Sequence, residues 1–228
     1  MFSETKDNTN KDINSIMMEK KKMLDISREI FRIYFEKGAR SSAKVDYFHK
    51  QIKGMIDTVI NKRNLSNGYN VKLEKNVPSI NSSGRKKCDI VVYKENNPYI
   101  VLPVKIIMTN YKQNKNNYWE SLTGELTHMK WHPDNNIRCI PINLFFNKLP
   151  YLAKSGEIKK WEEIKINDIQ NYKYLVSNNL AYGVVNHIIE VNHINKIGEK
   201  FEKTPELVGF LHDNPYISIF KLMEELIK

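Results

Sequence analysis

Two charged residues stand inside runs that are otherwise apolar. Asp89 interrupts the segment Cys-Asp-Ile-Val-Val-Tyr at positions 88–93, and Lys105 interrupts the stretch 99–108, which also contains Pro103. Both runs read as buried strands, where an unpaired charge costs several kcal/mol. Side chains alternate along a strand, so Asp89 shares a face with Val91 and Tyr93, and Lys105 with Val101 and Pro103. The turn Glu95-Asn96-Asn97-Pro98 between them predicts an antiparallel hairpin, which sets both charges at one end. Two chemistries fit. One is an Asp–Lys ion pair at a sheet rim. The other is phosphodiester hydrolysis, which needs a carboxylate to hold Mg²⁺, a second acidic ligand, and a cation near the attacking water or the scissile phosphate.

The second acid must come from elsewhere, because Pro103, two residues before Lys105, offers no side-chain donor. A helix expected over 116–130 carries Trp119, Leu122, Leu126 and Met129 towards the sheet. Glu125 borders that apolar face, three residues after Leu122 and four before Met129, whereas Glu120 lies nearly opposite it. Helical geometry therefore favours Glu125.

These residues carry a resemblance. The order Cys88-Asp89-Ile90-Val91-Val92-Tyr93, a turn, then Val101-Leu102-Pro103-Val104-Lys105 is similar to the PD-(D/E)XK nuclease superfamily, in particular type II restriction endonucleases. The likeness covers about residues 74–146, roughly a third of the chain, and departs from the pattern at Pro103. Some members of that superfamily supply the missing carboxylate from the following helix. Glu120, 15 residues after Lys105, matches their offset, so the resemblance keeps it beside Glu125.

The resemblance implies an α/β fold with a mixed central sheet flanked by helices, restriction-endonuclease-like, and Mg²⁺ as cofactor. It assigns the metal to Asp89, to Glu125 or Glu120, and to the carbonyl of Val104, with Lys105 orienting or activating the water. It further implies a palindromic site in double-stranded DNA, cut to leave 5′-phosphate and 3′-hydroxyl ends, and hence a homodimer. Length, A/T-rich coding and texture liken the chain to a member with an all-A·T target.

Around this pair the chain divides simply. Residues 1–11 form a polar stretch expected to fray. Two helices follow over 12–63, the second carrying Val45, Phe48, Ile52, Ile56 and Val59 on one face. The wide apolar surface of residues 13–35 is a candidate dimer interface. An α/β core is expected over 69–194, with a strand over 137–146 reached by a parallel crossover, a helix within 161–176 and a last strand over 182–194. Short helices are expected over 204–228. There are no repeats or long linkers, so one domain is expected. A basic, amide-rich loop is expected over 110–117, with Asn110, Tyr111, Lys112, Gln113, Asn114, Lys115 and Asn117 as DNA contacts. Asn and Gln suit adenine edges, and Lys suits phosphate. Arg85, Lys86 and Lys87 are further candidates for flanking phosphates.

Composition limits the alternatives. The chain has 228 residues and a formal charge of +10, the sign a polyanion attracts. Yet 30 Lys against 6 Arg, with 27 Asn, is also what A/T-rich codons produce. No apolar run reaches the roughly 18 residues of a membrane span, and no signal peptide is visible, so a cytoplasmic setting is expected. Cys88 and Cys139 are expected as core residues, and the six histidines show no metal-binding spacing. No phosphate-binding glycine motif is present. A non-catalytic nucleic-acid-binding protein remains the main rival, and an interaction protein with codon-driven charge the second.

Overall fold

The computed structural model describes residues 2–133 and 136–228, with side chains from Asp12 onward. Two long helices, α1 (Phe2–Lys37) and α2 (Ala43–Lys62), precede strands β1 (Tyr69–Pro78), β2 (Arg85–Lys94), β3 (Asn97–Leu102) and β4 (Val104–Ile106). After α3 (Tyr111–Lys130) come β5 (Arg138–Cys139), β6 (Ile142–Phe146), β7 (Lys148–Leu152) and β8 (Ile158–Glu163). A 3-10 turn (Ile166–Tyr172), α4 (Lys173–Ser177), β9 (Val185–Asn192), β10 (Glu206–Phe210) and α5 (Ile219–Leu226) complete the chain.

The hydrogen-bonded ladders run β1-β2-β3-β5 and β10-β9-β6-β4. They are continuous with each other. Ile100 pairs with Arg138 and Val104 with Ile142, the same offset of 38 residues on both sides of Pro103. The Ile140 N–H donates to Val101 O and the Ile142 N–H to Pro103 O, both at 2.8 Å. A proline has no N–H to give the ladder, and Pro103 and Pro141 mark where the sheet is interrupted. The result is one mixed sheet with its parallel part in the middle and antiparallel strands at both margins. The hairpin read from the sequence is present: Glu95 and Asn96 both take positive φ (50° and 69°), as a two-residue turn of this type requires.

Several expectations need correction. The stretch expected as a frayed tail is helical from Phe2 onward. The segment 110–117 is not a loop but the first two turns of α3, and tertiary contacts explain why. The Lys112 N–H donates to Glu162 Oε2 (3.0 Å) on β8, so a buried carboxylate caps the helix start. Asn110, at φ 52°, accepts the Leu152 N–H through Oδ1 (2.8 Å) and fixes the entry to the helix. The β7–β8 hairpin that supplies these partners is itself absent from the sequence reading. Within 204–228, residues 206–210 form a strand, because Leu207 and Phe210 find partners on β9, and only α5 is helical.

The helices are tied to the far end of the chain by one buried group. Glu19 on α1 is 1% exposed and accepts four hydrogen bonds: from Tyr216 Oη (3.0 Å), Ser218 Oγ (2.5 Å), Ile219 N (2.7 Å) and Phe220 N (3.2 Å). The carboxylate thus caps α5, complementing its dipole. Further along α1, Met23, Ile26, Ile30 and Phe31 enter the core, while Ile13, Met17 and Met18 stay exposed. Glu19→Ala leaves four donors without their acceptor, and a loss of about 2–4 kcal/mol in chemical denaturation is expected; a loss within error would refute the capping role.

Candidate active site

Asp89 sits where the sheet opens. The β2–β3 pairing reaches Ile90 opposite Leu102 and stops. Beyond that point the Val104 N–H meets the Asp89 carboxylate (Oδ2, 2.7 Å) instead of a strand carbonyl. Neighbouring residues on β2 turn to different helices. Cys88 Sγ lies 3.4 Å from Met129 Sδ on α3, while Asp89 faces His49 on α2.

A cleft of ≈ 370 Å³ lies at this opening and is lined by Asp89, Lys105 and Glu125, with Val45, Val104, Tyr118 and Asn143 among its walls. Asp89, Lys105 and Glu125 are therefore brought to one cavity, and Glu120 is not: it is exposed on α3 and lines none of it. Lys105 makes no ion pair with a described residue, and its Nζ stands 5.7 Å from the Tyr118 ring centroid. The alternative chemistry, a direct Asp89–Lys105 ion pair, is not found among the described residues, where Asp89 faces His49 instead. Val104, whose N–H is held by Asp89, is also among the lining residues.

The basic residues before Asp89 have partners. Lys86 Nζ lies 2.6 Å from Glu125 Oε1, and Lys87 Nζ lies 2.7 Å from Glu74 Oε2. Arg85 is exposed. On α3, Lys112, Gln113, Lys115 and Asn117 are exposed, whereas three other expected contacts are used internally. Tyr111 is buried and donates to Asp168 O (2.9 Å), Asn110 holds Leu152, and Asn114 donates to Asn110 O (2.9 Å).

Two residues near Asp89 escaped sequence reasoning. His49 on α2 is 3% exposed, with Nδ1 3.2 Å from Glu74 Oε1 and Nε2 4.0 Å from Asp89 Oδ2. Glu74 and Asp89 fall in the gap of the β1–β2 ladder between the Leu73–Ile90 and Lys75–Cys88 pairs, and Glu74 has a φ of 54°. That left-handed conformation costs roughly 1–2 kcal/mol for a residue with a Cβ. His49 carried a signal, a polar residue amid the apolar face of α2. So did Asn143, a buried amide beside Lys105 in the β4–β6 register that donates to Asn186 Oδ1 (2.8 Å). Glu74 carried none.

Two thiols and two further histidines are packed in the interior, and the Nδ1 atoms of His187 and His193, like His49 Nε2, are buried without a hydrogen-bond partner among the described residues. Burial pushes the Cys88 and Cys139 thiols up to about 12, far from a thiolate nucleophile. His187, its pKa lowered to about 4 by burial, stacks on Tyr216, and His193 packs on Trp161. No family model, curated protein or solved structure matches the chain.

Burial raises the pKa of Asp89. The Val104 N–H and nearby His49 oppose the rise, and the charges of Glu74 and Glu125 add to it. A carboxyl whose folded pKa exceeds its unfolded one favours folding fully below the unfolded value, and this contribution is lost as pH rises through the folded value. Asp89→Asn removes that cost and keeps an acceptor for the Val104 N–H. It is expected to raise Tm near pH 7, with the gain vanishing below the ordinary Asp range of about 3.9. Thermal melts at both pH values check this, and a lower Tm at neutral pH would contradict it.

Proposed function

We propose that the chain is a Mg²⁺-dependent endonuclease that hydrolyses phosphodiester bonds of double-stranded DNA at a specific, palindromic site. One observation carries the reading: two carboxylates, Asp89 and Glu125, share a cleft with Lys105, an ammonium in no ion pair with a described residue, in a chain of charge +10. The donor chemistry suits the metal. Asp89, Glu125 and the Val104 carbonyl are hard oxygen ligands, and Mg²⁺ keeps several waters, so few protein ligands suffice. Bound there, Mg²⁺ supplies Lewis-acid stabilisation of phosphoryl oxygens and lowers the pKa of a water.

The side chains do the rest. Lys105 hydrogen-bonds the attacking water and offsets the negative charge that builds at phosphorus. Water adds to phosphorus, the bond to the 3′ oxygen breaks, and the products carry 5′-phosphate and 3′-hydroxyl. Lys86, paired with Glu125, limits repulsion between the two acids while the cleft is empty of substrate. Exposed Arg85, Lys112, Gln113, Lys115 and Asn117 provide cations and amides for the duplex. Two-fold target symmetry asks for a homodimer, and Ile13, Met17 and Met18 on α1 offer the apolar surface for one. Light scattering at micromolar concentration is expected to give twice the chain mass; a monomer would count against the palindromic reading.

Pro103 favours a second reading, a nucleic-acid-binding protein without catalysis, because the residue two before Lys105 cannot bind metal. Incubation with bacteriophage DNA separates the two. Discrete fragments with Mg²⁺ and none with EDTA are expected. Retarded but intact DNA would support the binder. Asp89→Asn and Lys105→Ala should each lose at least about 10²-fold in cleavage rate. Glu125→Gln should lose more than Glu120→Gln, and the reverse order would move the second ligand to Glu120.

A further inference from the structure

Behind the cleft, on the α2 side of Asp89, lies a group of which the nuclease reading uses only Asp89. His49, Glu74 and Asp89 bring one ligand-type atom each within 4.8 Å of one another. Two acids on neighbouring strands are ordinary, but the imidazole is not. It is 3% exposed, and its Nε2 is buried without a hydrogen-bond partner. That nitrogen faces Asp89 Oδ2 across 4.0 Å. The gap is too long for a hydrogen bond. It is short enough to be spanned by metal–ligand bonds of about 2.0–2.2 Å on each side.

The other ring nitrogen explains the orientation. Nδ1 lies 3.2 Å from Glu74 Oε1, and the second oxygen of Glu74 lies 2.7 Å from Lys87 Nζ. A carboxylate on Nδ1 favours the tautomer with its proton there, leaving a lone pair on Nε2. Carboxylate behind, imidazole between and cation in front is a recurrent arrangement for a metal-binding histidine. Glu74 reaches this place because its backbone has positive φ within a strand, where the β1–β2 ladder skips Glu74 and Asp89.

We propose that His49 Nε2 and Asp89 Oδ2 are ligands of a late first-row divalent cation of the Zn²⁺ or Co²⁺ class, with Glu74 as the positioning residue behind the imidazole. A nitrogen ligand is what separates this site from an all-oxygen Mg²⁺ site. Asp89 belongs to both, so the protein's divalent-cation preference is set partly from α2. The remaining positions are taken by water, since Asp89 and Glu74 are each more than a third exposed. The inference stands apart from the nuclease reading: it requires cation binding, not cleavage.

The test uses the whole chain, stripped with EDTA and titrated with Co²⁺ alone, without DNA, while visible absorption is recorded. One Co²⁺ per chain is expected, displaced by Zn²⁺. His49→Gln should weaken binding at least about 100-fold, and Glu74→Gln by about 10-fold or more, the usual cost of losing an orienting partner. Far-UV circular dichroism verifies folding. If His49→Gln does not fold, Glu74→Gln, at a half-exposed position, decides. Absence of Co²⁺ absorption at millimolar metal would overturn the proposal and assign the gap to water. Co²⁺ binding unchanged in the folded variants would overturn it equally. Mg²⁺-dependent DNA fragments from a chain without this Co²⁺ site would sink this inference alone, and Co²⁺ binding without any cleavage would sink only the nuclease.

Discussion

The Val104–Asp89 hydrogen bond decides how the sheet is arranged around its centre. Were the β2–β3 register continued, Val104 would face Cys88, and the two strands would close on each other. Instead the pairing ends at Ile90 and Leu102, and a carboxylate takes the N–H that a carbonyl would have taken. The substitution matters because a side chain reaches farther than a backbone oxygen and holds the strands apart. Pro103 completes the opening, lacking the donor that the parallel neighbour would have received. The cleft between α2 and α3 is the space this leaves.

An opening lined by carboxylates must also be balanced in charge. Lys86 and Lys87, adjacent on β2, reach different acids: Glu125 on α3 and Glu74 on β1. Such partly exposed pairs add little stability by themselves. Their effect is to balance two of the three carboxylates near this point while Lys105 has no acidic partner among the described residues. An ammonium without an acidic partner among the described residues, in a chain of charge +10, is suited to an incoming anion.

Much of this was legible where a residue violated its local pattern. Asp89 and Lys105 stood out because their neighbours are apolar at strand spacing, and the Glu95-Asn96 turn fixed which strands meet. His49 and Asn143 violated theirs in the same way, yet neither carried a spacing that named a chemistry. What could not be read depends on partners far along the chain. The first turns of α3 are polar and amide-rich, a loop by composition, and become helix because Glu162, 50 residues later, caps them. The strand at 206–210 is likewise made by β9 rather than by its own residues. Glu74 is the extreme case, since its importance lies in a backbone angle that no residue pattern announces.

That angle and the charge beside it point the same way. Asp89 is held partly desolvated, at a cost that falls on the folded state above the carboxylate range, and Glu74, on the neighbouring strand, occupies a conformation that disfavours any side chain. A strand built for stability alone would place a glycine or asparagine at the second position and an apolar residue at the first. Both departures occur in the gap of the β1–β2 ladder between the Leu73–Ile90 and Lys75–Cys88 pairs, beside an imidazole nitrogen with no hydrogen-bond partner among the described residues. Buried polar atoms without a partner also occur at Asn70, His187 and His193. Among the described residues, though, only at the point where the strands part does one face a desolvated carboxylate, and that combination is what the proposed cation site rests on.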